Sequence, residues 1–197
     1  MIEINECCKE SFKNHKATLI QDTDRFLIID LRNANGSSNY YVNYIVDKKR
    51  GSLIVSGDLG DSIATWYNPI EPSKLKVYIR NIDYYISKFQ CSSDDYNHKP
   101  DDIVSDLRGQ LEEDDVQEFI NTDDEFDTVE EFWEYIDDEV SLSIYGKEFI
   151  PSENLRNIIE KIHCDSWEWL HDCGQRVNMR VHLWSVGFNM ACEQLRI

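Results

Sequence analysis

The chain has 197 residues, with 20 Lys and Arg against 38 Asp and Glu, a formal charge of −18 and 41% hydrophobic residues. That apolar content supplies one core or two small ones and excludes a wholly disordered chain. The acidity excludes direct binding to nucleic acid, whose affinity comes mainly from Lys and Arg meeting phosphates, and docking on an anionic membrane surface.

Residues 1–8 carry Glu3 and Glu6 with no basic start and no apolar run, so no signal peptide is expected. Residues 5–12 read as a short opening helix. Strand-like runs follow at 25–31, 40–46, 52–56 and 63–67, with Asn35-Gly36 and residues 47–51 as turns between them. This pattern predicts an antiparallel meander. Its most apolar stretch, Phe26-Leu27-Ile28-Ile29, is far too short to span a membrane. Pro72 then opens a helix whose apolar residues Leu75, Ile79, Ile82, Ile86 and Phe89 would pack across one sheet face. The polar run Ser92-Ser93-Asp94-Asp95 marks a boundary. Residues 1–92 are expected to form an α+β sheet domain. Residues 93–197 are expected to form an acidic helical region with C-terminal helices, unless the two halves make one continuous domain.

From Asp94 to Glu139 the sequence holds 20 acids and two bases, Lys99 and Arg108, so the whole net charge of −18 lies in this segment and the remainder is neutral. Apolar residues recur through it with helical spacing: Ile103, Leu107 and Leu111; Val116, Phe119 and Ile120; then Val129, Phe132, Trp133, Ile136 and Val140. Thr128 followed by Glu131 fits a capping box. The expectation is a set of short helices, apolar side in and carboxylates out. The arrangement costs stability, because like charges repel and Asp137, Asp138 and Glu139 oppose the C-terminal end of the helix dipole.

Beyond the acidic segment, residues 142–150 read as a strand or hairpin arm. Pro151 opens a helix with Leu155, Ile158, Ile159 and Ile162 inside. Residues 166–173 read as a short helix stopped by Gly174. Val181, Trp184, Phe188, Ala191 and Leu195 line a final helix whose stripe, if exposed, would support a homodimer. The fold class is α+β.

Several residue groups invite a chemical reading. His163, Cys164, His171 and Cys173 are metal-ligand types, but their spacing matches no common zinc pattern, so buried cysteines and surface histidines around Trp167 and Trp169 are the plainer reading. Gly57-Asp58-Leu59-Gly60-Asp61 follows a strand, yet its aspartates would repel a phosphate and no Lys follows, so turn glycines are the plainer reading. Asp30 and Asp47 on neighbouring strands, with Lys49 or with Asp58 and Asp61, are the types a magnesium-dependent hydrolase uses. The meander places Asp30 and Asp47 toward opposite strand ends. The six cysteines, Cys7, Cys8, Cys91, Cys164, Cys173 and Cys192, form no CxxC and suit reduced thiols in a cytosol.

The acidic block has a plain reading as a solvated face that aids solubility. Its density supports a sharper one. DNA carries one charge per roughly 1.7 Å of axis, so these charges match the count on about 30 Å of duplex. Carboxylates at i and i+4 lie about 5–6 Å apart, close to the spacing of successive phosphates. The candidate partner-binding residues are Glu112, Glu113, Asp114, Asp115, Glu118, Asp123, Asp124, Glu125, Glu130, Glu131, Glu134, Asp137 and Asp138. Trp133 or Tyr135, if exposed, would anchor the contact.

A small, cysteine-reduced α+β chain with one dense carboxylate face resembles phage and mobile-element counter-defence proteins of the DNA-mimic kind, anti-CRISPR inhibitors among them. The stretch YYVNYIVDKKRGSLIVSGDLGDSIATWYN, residues 40–68, is also similar to proteins of such elements. The resemblance implies a non-enzymatic inhibitor that binds the basic nucleic-acid groove of a defence nuclease in the host bacterial cytoplasm, with no cofactor, no metal, no direct contact with nucleic acid and no membrane. The alternatives are an immunity protein that neutralises a basic toxin and, further off, the metal-dependent hydrolase.

Overall fold

Strands form where apolar side chains alternate. Leu27, Ile29 and Leu31, then Val42, Tyr44 and Val46, then Leu53 and Val55 are buried, with more exposed residues between them. A period of two sends one side of each strand into a core. The computed structural model describes residues 4–123 and 125–197. In chain order its elements are α1 (Ile4–Ser11), β1 (His15–Asp22), β2 (Phe26–Asn33), β3 (Val42–Asp47), β4 (Ser52–Gly57), β5 (Ser62–Thr65), α2 (Pro72–Arg80), α3 (Ile82–Ile86) and β6 (Phe89–Ser92). There follow β7 (Tyr96–Asn97), α4 (Pro100–Gln110), α5 (Glu113–Thr122), α6 (Val129–Leu142), β8 (Ile144–Tyr145), β9 (Glu148–Phe149), α7 (Glu153–Ile162), β10 (Arg176–Val177) and α8 (Met179–Leu195). The fold is α+β, as expected.

Two compact units result. Unit 1 comprises Met1–Asp95 and Asn178–Ile197, and unit 2 comprises Tyr96–Val177. Unit 1 holds a six-stranded antiparallel sheet in the order β1-β2-β3-β4-β5-β6, so the meander is longer than the sequence predicts. The edge strand β1 escapes a period-two reading because Leu19 and Ile20 are neighbours; a bulge between Leu19 and Gln21 resets its register. The helix expected from Pro72 to Phe89 is broken at Asn81. That residue is extended, its side chain accepts a hydrogen bond from the Tyr84 amide at 3.1 Å, and it caps a second short helix. Phe89 lies opposite Ala64 in β6 instead of on the helix.

Helix α8 also departs from expectation. The sequence reading groups it with residues 93–197, but it packs on β1, β2 and β3 and against α1, α2 and α3. Val181, Leu183, Trp184, Phe188, Ala191 and Cys192 are buried, so the stripe expected to serve a homodimer is core. Gly187 lets the helix approach the sheet: a Cβ there would lie 2.4 Å from the Tyr44 hydroxyl. That hydroxyl donates to the Trp184 carbonyl at 3.0 Å, and the Tyr44 ring meets Phe188 edge-on at 5.3 Å. Tyr44→Phe should cost about 1 kcal/mol by removing a buried hydrogen bond between β3 and α8, measurable by urea denaturation. No loss of stability would mean the contact is not made.

In unit 2, α4 to α7 enclose a separate core around Ile103, Leu107, Phe119, Phe132, Ile136 and Leu155. Phe119, Phe126 and Phe132 pack at ring separations of 5.5–6.3 Å. β7 and β10 pair antiparallel, so the chain enters and leaves the unit side by side. The segment 166–173, expected as one helix, forms two 3-10 turns, Ser166–Glu168 and Leu170–Asp172. Gly174 follows them with φ +69°, and a Cβ there would fall 2.2 Å from Ile103 Cγ1. Among the described residues no helix is long and apolar enough to cross a membrane.

Candidate functional site

The two units divide the charge completely. Unit 1 has 14 acids and 14 bases; unit 2 has 24 acids and six bases, and so carries the entire −18. The acids of unit 2 stand on helices with apolar inner faces. On α5, Val116, Phe119 and Ile120 point inward; Glu113, Asp114, Asp115 and Glu118 are exposed. Three of these acids fall in the first turn, where the helix dipole favours them. On α6, Phe132, Trp133, Ile136 and Val140 are buried; Glu130, Glu131, Glu134, Asp137 and Asp138 are exposed.

The expected cap of α6 forms with a shift. The Thr128 hydroxyl accepts from the Glu131 amide at 3.1 Å, but Glu131 Oε2 reaches back to the Asp127 amide, at 3.0 Å, and not to Thr128. Glu112 is exposed at the N-cap of α5 and makes no side-chain cap there. Glu125 is exposed in the connection to α6. Asp124 lies outside the described residues. Asp123 differs from the rest: it is half-buried and accepts from Lys161 Nζ at 2.8 Å, and this bond holds its carboxyl below the usual range.

Other acids of the segment are likewise engaged within the fold. Asp106 takes two hydrogen bonds from Arg176, at 2.7 and 2.9 Å, and one from the Gly174 amide at 2.8 Å, with Asp102 at 3.6 Å from the same guanidinium. The Arg176 bonds dominate in holding Asp106 below the ordinary carboxylate range. Glu139 accepts from the Ser152 hydroxyl at 2.5 Å.

Four of the thirteen candidates converge. Glu113 of α5 and Glu130, Glu134 and Asp137 of α6 line an open groove of about 540 Å³, with Val104, Arg108, Val129 and Trp133 completing it. Its floor is Trp133, which is buried and therefore cannot be the protruding anchor the sequence suggested. Arg108 lies over that ring, 4.1 Å from its centroid. A guanidinium on the face of a Trp is a favourable cation–π contact. Tyr135, the other expected anchor, is half-buried and packs edge-on against Phe126 at 5.4 Å. The exposed aromatic rings of unit 2 are Tyr145 and Trp167, which sequence periodicity did not single out. Four carboxylates around one cation make a groove of net negative charge, suited to receiving Lys or Arg side chains.

The other candidate chemistries disperse. Asp30 accepts from Tyr41 Oη and Asn43 Nδ2, while Asp47 accepts from Arg25 and the amides of Lys49 and Arg50. They lie at opposite ends of the β2–β3 ladder, Asp30 opposite Asn43 and Asp47 opposite Phe26. Asp58 accepts from the Tyr40 amide, and the Asp61 amide is tied to Ser93. Cys173 is buried, and burial foremost pushes its thiol up to about 12; Cys164 and His171 are exposed. His163 packs edge-on against Trp169. Among the described residues no three or more His, Cys, Asp or Glu gather as a metal would require. The chain matches no protein-family model, no curated protein and no solved structure.

Proposed function

We propose that the protein is a non-enzymatic inhibitor whose unit 2 occupies the basic nucleic-acid groove of a bacterial defence nuclease, in the host cytoplasm, with its carboxylates standing where phosphates would bind. One observation carries this reading: the whole net charge of −18 belongs to one folded unit, while the other unit is neutral. Solubility alone places no such demand, since charge spread over both units would serve it equally. The folding cost points the same way. Arg176 and Lys161 are engaged by Asp102, Asp106 and Asp123, and most acids of α5 and α6 point outward. Helices hold these carboxylates in fixed rows, so a partner's Lys and Arg meet a preorganised array, and the ordering cost on binding falls.

On this reading the groove between α5 and α6 is where a partner's basic side chain seats most deeply. Association is steered by charge, so affinity falls steeply as salt rises. The test uses the full chain as bait in a bacterial lysate at low and at high salt. A basic nuclease retained at low salt and released at high salt is the expected result. Glu113, Glu118, Glu130, Glu134, Asp137 and Asp138 are then all replaced by Lys. Retention of the nuclease should vanish while the circular dichroism spectrum is unchanged. A folded variant that still holds its partner sinks the reading, and capture of a basic toxin in place of a nuclease redirects it to an immunity protein.

A further inference from the structure

We propose that a cleft in unit 1, between α1, α2 and α8, binds a small aliphatic zwitterion, a molecule that carries a carboxylate and an ammonium group together as a free α-amino acid does. The cleft holds about 320 Å³, at the lower end of the range for ligand pockets. It goes beyond the acidic surface, which belongs wholly to unit 2.

The starting point is helix α8, where two polar side chains interrupt a buried apolar surface. Ser185 is 4% exposed and Asn189 8%. Ser185 Oγ donates to the Ile79 carbonyl at 2.7 Å, and Asn189 Nδ2 donates to the Ser185 carbonyl at 2.9 Å. The remaining function of Asn189 is to hold an arginine: its Oδ1 accepts from Arg80 Nε at 3.1 Å. A buried polar group kept in place by several bonds fixes whatever it touches. Here it holds the guanidinium of Arg80 by its Nε edge, so the Nη groups face the cleft, with Nη2 beside Glu193.

Charge then decides the ligand class. Glu193 lines the same cleft, with its Oε1 3.8 Å from Arg80 Nη2, too far for a direct hydrogen bond. Lys9, on the opposite wall, is engaged by Glu6 at 2.7 Å. Arg80 and Glu193 are then the opposed charges that the cleft offers a ligand. A bare anion would face Glu193, and a bare amine would face Arg80. A zwitterion satisfies both, its carboxylate on the Arg80 Nη groups and its ammonium on Glu193. Val186 and Met190 supply the apolar wall for an aliphatic body.

The test titrates isotope-labelled full-length protein with L-leucine and with its two halves: isocaproate, which lacks the ammonium, and isoamylamine, which lacks the carboxylate. The expected result is saturable movement of the Arg80 Nε–H and Asn189 side-chain amide resonances by leucine, with a millimolar Kd and at least about tenfold weaker response to either half. Arg80→Gln and Glu193→Gln should each weaken leucine binding by about tenfold or more. Glu193 is exposed, so its substitution leaves the fold intact even where Arg80→Gln disturbs Asn189. Absence of saturable shifts, an equal response to isocaproate alone, or undiminished binding by Glu193→Gln overturns the proposal.

Discussion

Trp184→Ala should destabilise unit 1 by about 3–5 kcal/mol, a large share of the roughly 5–15 kcal/mol that a domain possesses. The indole is fully buried at the centre of α8. It meets Phe89 of β6 at 6.1 Å, and the carbonyl of the same residue receives the Tyr44 hydroxyl from β3. Truncation opens a cavity where the helix crosses the sheet, and the close approach allowed by Gly187 leaves the backbone little room to collapse into it. The control is Trp167→Ala, a ring that is 69% exposed and should change stability by less than about 0.5 kcal/mol. Urea denaturation of both variants decides the matter. A Trp184→Ala protein within 1 kcal/mol of the parent, on the scale expected for surface changes, would mean that α8 does not form the core described.

The contrast between these two tryptophans shows how far residue pattern alone reaches. The stripes on α6 and α8 were legible because helical periodicity is a local signal: Phe132, Trp133, Ile136 and Val140 announce an inner face without knowledge of what covers it. What covers it was not legible. Lys161 reaches Asp123 across 38 residues and Arg176 reaches Asp106 across 70, so no local window reveals which carboxylates are already neutralised. The same limit placed α8 with its sequence neighbours. The pairing of β7 with β10 returns the chain to its starting point, and a helix that follows such a closure can pack on strands far earlier in sequence. Arg108 is one of only two bases in the acidic segment, and the sequence assigned it no role. Its seat on Trp133 makes it part of the groove, a role set by geometry between α4 and α6.

The second large effect expected is a response to salt that runs opposite to that of a protein held by surface ion pairs, together with an acid response set by a few paired carboxylates. Salt weakens the Arg176–Asp106 and Lys161–Asp123 pairs, but it also screens 24 acids against six bases within one small unit. Repulsion has far more members than attraction here, and exposed pairs contribute little each, so screening wins. The Tm of the unit 2 transition should rise by on the order of 5 °C from low to moderate salt at neutral pH. Acid acts through the paired carboxylates. Asp106 and Asp123 titrate below their ordinary range when folded, so their stabilising effect is complete above the unfolded value of about 4 and is lost as pH falls through the lower folded values. The acid limb of the stability curve therefore begins below about pH 4, and Asp106→Asn should flatten it while leaving the rise with salt unchanged. If salt instead lowered the Tm, the outward acids of α5 and α6 would have to be compensated by cations beyond Arg108, and the surface offered to a basic partner would already be filled.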